Sequence, residues 1–421
     1  MSRAQAIGLG VLGFALSVAY DPFIAGGAAT PRWTVMALAL IALPFLGRGR
    51  ITWAHVAGLA FVGWALASLG WSQAWYDSHD ALLKLLILAG MFLLGSRIED
   101  MRTFWIGAGL GLLPSAAMIA LEASGLVDIL GIPRSPGLFV GHQFPAGMYG
   151  NGLFYAEAAT LVAVALAVSR QWVLAAIVLG PLLLLGNIPR GPILALVVVG
   201  MAWSLIRGWR PGVMGCAAIL SVALAGATFI RPDTVHLRMD MWQDVIEAFR
   251  LFGYGYGSYH AVIPFHSTHY DASQWVEVGP HNEFVGVLFE LGLPGLFLAV
   301  AFCGIVLVAS RPALYQKPAR FQYAEHLVLI AFLTEAMFGN AAHLPATAGM
   351  FVLVAGHASR GLPVWNWAAV FCRTGLRRGL EFPYGAAISR RSDPRRTFVS
   401  LSGEVQDCAG TPVVRPGKAS G

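Results

Sequence analysis

Residues 283–309 read EFVGVLFELGLPGLFLAVAFCGIVLVA, a stretch in which Glu283 and Glu290 are the only charges. A helix rises ~1.5 Å per residue and a bilayer core is ~30 Å thick, so an apolar run of this length predicts a transmembrane helix. Its opening is more polar, because Pro280-His281-Asn282 stands directly before Glu283. Eleven further apolar blocks lie outward from it, near residues 4–20, 33–47, 51–70, 81–96, 103–121, 152–169, 171–187, 192–206, 212–230, 323–339 and 346–359. These blocks are continuous rather than alternating, which predicts an all-α integral membrane protein of about twelve transmembrane helices and argues against a β-barrel.

Composition agrees. Of 421 residues, 57% are hydrophobic and 12% charged, and the mean hydropathy is +0.65, too little polar surface to coat a soluble globule. The net charge of +6 does not call for nucleic acid, because the basic residues fall in short loops and near the C-terminal end. With the N-terminus cytoplasmic, 21 Lys and Arg lie on the inner side. Seven lie outside: Arg32, Lys84, Arg134, Arg190, Arg231, Arg238 and Arg250. The positive-inside rule selects that orientation and puts both termini in the cytoplasm. Arg3 with Ala6–Tyr20 also resembles a signal peptide, but the many following spans favour a retained first helix.

The reading divides the chain into a polytopic membrane domain, 1–372, and a basic tail, 373–421. The tail contains Arg377, Arg378, Arg390, Arg391, Arg395 and Arg396 and shows no apolar period, so a disordered segment suited to anionic headgroups is expected. Cys216, Cys303, Cys372 and Cys408 have no metal-ligand spacing and are expected as free thiols. Two outside segments are long, 122–151 and 231–281, the latter a periplasmic loop region between the ninth and tenth spans. Within it, residues 237–251 are amphipathic. Met241, Val245, Ala248 and Phe249 share one face and Asp240, Asp244 and Glu247 point elsewhere, as in a helix lying on the membrane surface.

Four features in these segments could carry chemistry. Arg190 interrupts two apolar blocks at a depth where a cation needs an anion or water, although an arginine snorkelling from a tight turn would read the same way. Arg238 opens the amphipathic stretch. Gly253-Tyr-Gly-Tyr-Gly-Ser258 could bring backbone N–H groups to a ligand, or could be a plain turn; it lacks the strand and helix of a dinucleotide site. His281 begins the tenth span, where an imidazole could take a proton from a sugar hydroxyl or simply cap the helix. His260, His266 and His269 have no firm ligand spacing, so no metal and no cofactor is expected.

Taken in order, the arginine turn between helices, the arginine opening an outer helix, the Gly-x-Gly-x-Gly-Ser run and His281-Asn282 with Gly292 and Gly295 resemble the O-antigen ligase and polymerase family. The segment 141–159, with Asn151 and Glu157, is similar to that family's approach to its central helices, so the resemblance covers most of residues 137–296. Ile188-Pro189 departs from it, standing where small hydroxyl residues usually precede the arginine. The resemblance implies an inner-membrane glycosyltransferase with its site facing the periplasm. Such an enzyme moves glycan from an undecaprenyl-diphosphate carrier to lipid A core or, as the alternative, to a growing O-antigen or exopolysaccharide chain. It implies His281 as catalytic residue and Arg190 and Arg238 as diphosphate contacts, with Asn282, Gly255, Gly257 and Ser258 in support. A lipid-linked glycan transporter is disfavoured by the absence of an internal repeat and by charges gathered at the outer mouth rather than the midplane. A structural subunit of an export assembly is the third reading.

Overall fold

The computed structural model describes residues 2–20, 29–46, 49–124, 147–149, 151–184, 190–230, 232–269, 279–311, 320–339 and 341–360, with the short segments 398–399 and 405–406. Its helices are α1 (Arg3–Val18), α2 (Thr30–Ala39), α3 (Trp53–Ala67), α4 (Trp75–Gly95), α5 (Arg102–Ala123), α6 (Gly152–Val168) and α7 (Trp172–Leu179). They continue with α8 (Arg190–Ile206), α9 (Arg210–Ile230), α10 (Pro232–Glu247), α11 (Tyr259–Val262), α12 (Glu283–Ala309), α13 (Arg320–Phe338) and α14 (Pro345–Ser359).

The helical class is as expected. Among the described residues four helices are long and apolar enough to cross a bilayer, Trp53–Gly70, Trp75–Gly95, Arg102–Ala123 and Glu283–Ala309; shorter apolar helices include Arg3–Val18, Gly152–Val168 and Arg190–Ile206. The tail contributes one antiparallel pair, Phe398–Val399 with Val405–Gln406, a small exception to the all-α expectation. Cys216 and Cys303 are free thiols.

α6 is the hub. Every residue from Tyr155 to Leu166 is buried, against α5, α7, α8 and α13, and the Tyr155 hydroxyl donates to the Val178 carbonyl of α7 at 2.7 Å. Elsewhere close approach depends on glycine. A Cβ at Gly107 of α5 would stand 2.0 Å from the Gly10 carbonyl oxygen of α1, and one at Gly356 of α14 would stand 2.0 Å from the Phe92 oxygen of α4. In lipid, where burying apolar surface drives little helix association, such small-residue contacts let dispersion hold the helices together. Among the described residues the most enclosed cation is Arg32, 2% exposed. It donates to the Leu16 and Ser17 carbonyls closing α1 and lies 3.9 Å over the Tyr149 ring. Sequence reasoning had only counted it among the outer charges.

The span predicted as one unbroken helix over 283–309 is instead broken at Gly292 (φ 66°, ψ −164°). Pro294 has no N–H to donate to the Glu290 carbonyl four residues back, and its ring would collide with that carbonyl in a regular helix. Glycine tolerates the left-handed φ that the break requires. α10 also differs from expectation. It ends at Glu247, Phe249 lies beyond it and is 42% exposed, and Asp244 is fully buried rather than turned outward.

Gly107→Val and Gly356→Val are expected to lower the thermal midpoint in detergent, since overpacking costs about 1–3 kcal/mol. Gly63→Val should not, because a Cβ at Gly63 meets nothing within 4 Å. Equal shifts for all three would refute glycine-dependent packing.

Candidate active site

The break in α12 leaves a set of backbone groups that must be satisfied away from water. The Gly253–Ser258 run satisfies them. Tyr254 N–H donates to the Phe289 carbonyl at 3.1 Å and Gly255 N–H to the Glu290 carbonyl at 2.8 Å, while Leu293 N–H donates to the Leu251 carbonyl at 3.0 Å. The Leu291 carbonyl accepts from the Trp64 indole at 2.9 Å. The Glu290 side chain closes the arrangement, its carboxylate accepting Gly257 N–H at 2.9 Å and Tyr259 N–H at 3.1 Å. Glycine is required because the chains nearly touch. Gly253, Gly255 and Gly257 all have positive φ, and a Cβ on Gly253 would meet the Glu290 oxygen at 2.2 Å. The run that the sequence offered as a possible ligand cradle has these N–H groups committed to α12 and to Ser68, whose hydroxyl takes Tyr256 N–H at 3.0 Å. Ser258 is fully buried.

Upstream of the break, Asn282 caps α12, its side-chain oxygen accepting Phe284 and Val285 N–H at 3.0 and 3.2 Å. His281, half-buried, is held at φ 53°, a region costly for a residue with a Cβ. The carbonyl of Pro280 before it accepts the Trp242 indole N–H of α10 at 2.7 Å. Arg238 lies four residues before Trp242, on the same face of α10. One helix thus positions Arg238 and the turn that presents His281.

Around this turn lies a charged group that sequence reasoning largely missed. Glu283 accepts Ala342 N–H at 2.7 Å and pairs with the His343 ring at 3.0 Å, joining α12 to the loop between α13 and α14. The Glu283 carboxylate pulls His343 up to about 9, helped by Glu290 and opposed by Lys84. Glu157 of α6 lies within electrostatic range of Glu283 and Arg238. Glu335 of α13 neighbours Glu157 across Gly339, whose Cβ position is 2.8 Å from a Glu157 oxygen. Among the described residues both Glu335 oxygens and one Glu157 oxygen have no hydrogen-bond partner, although the side chains are buried. The findable signal was a carboxylate inside an apolar helix, which is costly and therefore a functional flag. Arg190 opens α8, half-buried, and α8 packs on both α6 and α13; the preceding turn with Ile188 and Pro189 falls outside the described residues.

The loop histidines divide. His269 lies with Asp244 and Glu247 so that one ligand atom from each falls within 4.8 Å of the others, the arrangement a divalent ion would need. Asp244 is already occupied, accepting from Thr268 N–H, His269 N–H, the Ser267 hydroxyl and the His269 ring at 2.7–3.0 Å. The residues therefore fit a latch between α10 and its following loop better than a metal centre. Burial works to raise the Asp244 carboxyl, but these donors hold it below the ordinary carboxylate range, and the bond to Asp244 raises His269.

Residues 156–300 match the family model described as O-antigen ligase. Over 171 residues the chain is 30% identical to the O-antigen ligase of Salmonella typhimurium strain LT2, an alignment covering 35% of this chain and 42% of that protein. The chain thus spans less than half the length of that curated relative. The matched segment carries Arg190, Arg238, the glycine run and His281, and its similarity is to the O-antigen ligase family that its motifs resemble.

Two outcomes follow from this geometry. Glu290→Ala, which leaves two buried N–H groups unsatisfied at about 1–3 kcal/mol each, should lower the thermal midpoint, with Glu290→Gln intermediate because its amide oxygen can still accept. An unchanged midpoint in Glu290→Ala would mean that the carboxylate does not hold the turn. For the Asp244–His269 latch, the lowered carboxyl contributes stability above ~3.9 that is lost as pH falls through its folded value. The raised imidazole contributes below ~6.5 and is lost as pH rises through its folded value. Protection of residues 260–269 from protease should therefore be greatest between about pH 4 and 6.5, and Asp244→Asn should flatten the profile. A profile unchanged by that substitution would refute the latch.

Proposed function

We propose that this protein is an inner-membrane glycosyltransferase that moves glycan from an undecaprenyl-diphosphate carrier to an acceptor sugar, lipid A core being favoured, on the periplasmic face. The observation that supports the reading is that α10 carries Arg238 and, one turn on, Trp242, whose indole holds the Pro280 carbonyl just before His281. Twelve crossings with both ends cytoplasmic put the 231–281 segment on the outer side, consistent with the distribution of 21 basic residues against seven.

In this mechanism His281 removes the acceptor hydroxyl proton as the new glycosidic bond forms. The anomeric carbon–oxygen bond to the diphosphate breaks, and inversion results from the single displacement. The leaving diphosphate gathers charge, which fixed guanidinium groups of Arg238 and Arg190 in a partly dry site stabilise more than they stabilise the ground state. Asn282 fixes the start of α12, and Gly255, Gly257 and Ser258 support the site through the packed turn. The donor is already activated, so the arginines do the work that a metal performs in nucleotide-sugar enzymes, and turnover is expected to persist in EDTA. The occupied state of Asp244 supports this reading. Loss of turnover on chelation, restored by Mg²⁺ or Mn²⁺, would contradict it.

Donor affinity and turnover measured separately, with purified protein, donor lipid and acceptor, test the roles. His281→Ala should retain donor binding and lose about 10²–10⁴-fold in rate, while Arg190→Ala and Arg238→Ala should lose both, with lysine restoring only part because it lacks the planar fork. Near-normal turnover in His281→Ala would remove the base. Glycan found unaltered on the carrier would make the protein a transporter. Elongated carrier-linked chains with an unmodified core acceptor would make it a polymerase.

A further inference from the structure

At the end of the molecule away from His281, a cavity of about 1170 Å³ opens between α1, α2 and the ends of α4, α13 and α14. Its walls are apolar along the bilayer direction, with Leu9 and Leu12 from α1, Val35 and Leu38 from α2, and Phe45 and Leu46 from the turn that follows α2. It runs beside α1 from Gln5 to Ala15. Ten residues of helix are ~15 Å, the depth of one leaflet of a ~30 Å core. Its flank is open, since Val11, Leu38 and Phe45 are 59%, 60% and 82% exposed.

The groove's other end is charged. Arg50, Arg97 and Arg360 line it with Gln5, Glu99, Glu325 and His357. Glu325 is engaged by the His357 ring at 2.9 Å, and Glu99 lies within electrostatic range of Arg360. Arg97 spends one N–H on the Leu43 carbonyl at 2.6 Å. Among the described residues neither Arg50 nor Arg97 has a carboxylate partner, so the rim keeps two uncompensated cations. An apolar slot one leaflet deep, open to the side and closed at its polar end by unpaired guanidinium groups, has the form of an amphiphile with an anionic head.

We propose that this groove binds one acyl chain of an anionic glycerophospholipid, with the phosphate at Arg50 and Arg97. The donor lipid does not fit this place. α14 runs from Pro345, beside the His343 loop, to Ser359, beside Arg360 at the groove's rim, so about 22 Å of helix separates the two polar ends. A lipid held here also fills the space between α1 and α4 and braces α1 on its open side.

Native mass spectrometry of the full-length protein in detergent, titrated with phosphatidylglycerol or phosphatidylcholine of the same chains, tests this. Phosphatidylglycerol should bind the tighter. Arg50→Gln, an exposed position whose change should not disturb folding, should weaken it about fivefold, the equivalent of ~1 kcal/mol per basic residue at an anionic headgroup. Leu38→Trp, filling the slot from its open side, should reduce binding of both lipids. Equal affinity for the two lipids, or no effect of either substitution, would overturn the proposal. Displacement of phosphatidylglycerol by undecaprenyl diphosphate in an Arg50-dependent way would also overturn it, assigning the groove to the carrier lipid. Because the readout is lipid binding and not transfer, the result stands apart from the reading of the catalytic end.

Discussion

Pro294 cannot donate to the Glu290 carbonyl, and Gly292 breaks α12 beside it; the architecture of the functional end follows from how that break is healed. A broken helix at membrane depth is tolerable only where other protein groups take up the freed donors and acceptors. Here Tyr254, Gly255 and Trp64 supply donors to three successive carbonyls, and the Glu290 carboxylate binds the turn that brings them. Gly253 is closed in by Glu290 of α12, Gly255 by Ser72 and Gly257 by Asp77 and Ala81 of α4, so none of the three has room for a side chain. The same turn stacks Tyr254 on Phe289, with ring centroids 4.6 Å apart, adding an apolar seam to the hydrogen bonds.

With the break fixed, the first part of α12 becomes a short, independently aimed helix. Its start is capped by Asn282, tied to the α13–α14 loop through Glu283, and tied to α10 through the Pro280 carbonyl. His281 occupies the one residue between those ties, and its left-handed backbone is the conformation they impose. Buried carboxylates behind it, Glu157 and Glu335, are expensive in such surroundings; Arg238 lies within electrostatic range of Glu157, and Glu157 in turn of Glu335. The candidate site is thus a small set of charges contributed by α6, α10, α12 and α13, with Glu157 on the buried helix α6.

Much of this was legible from the sequence because membrane helices write themselves as apolar blocks. The helical class could be read directly, and the His281-Asn282 and Gly292–Gly295 spacing pointed to the similarity with O-antigen ligases. The broken span could not be read as easily. Gly292 and Pro294 were visible, but only the partner across the gap, the Gly253 turn, shows that they break the helix rather than bend it. The glycine run stood open as a ligand cradle or a plain turn for the same reason: the N–H groups of Tyr254, Gly255 and Gly257 are used by residues some thirty-five positions later. Asp244 was assigned to a polar face because helical periodicity cannot anticipate a following loop whose amides fold back over a carboxylate. Glu335 and His343 were overlooked because their significance comes from Glu157 and Glu283, on other helices.

The central claim is that Glu290 binds the glycine turn to the broken helix, and amide hydrogen exchange at Gly257 and Tyr259 tests it most directly. In the wild type both amides should exchange slowly. In Glu290→Ala they should become fast while the amides within α10 keep their protection, since only the two acceptors are removed. Equal protection of Gly257 and Tyr259 in the two proteins would contradict the account, because it would mean that the turn is held by something other than the carboxylate at the break.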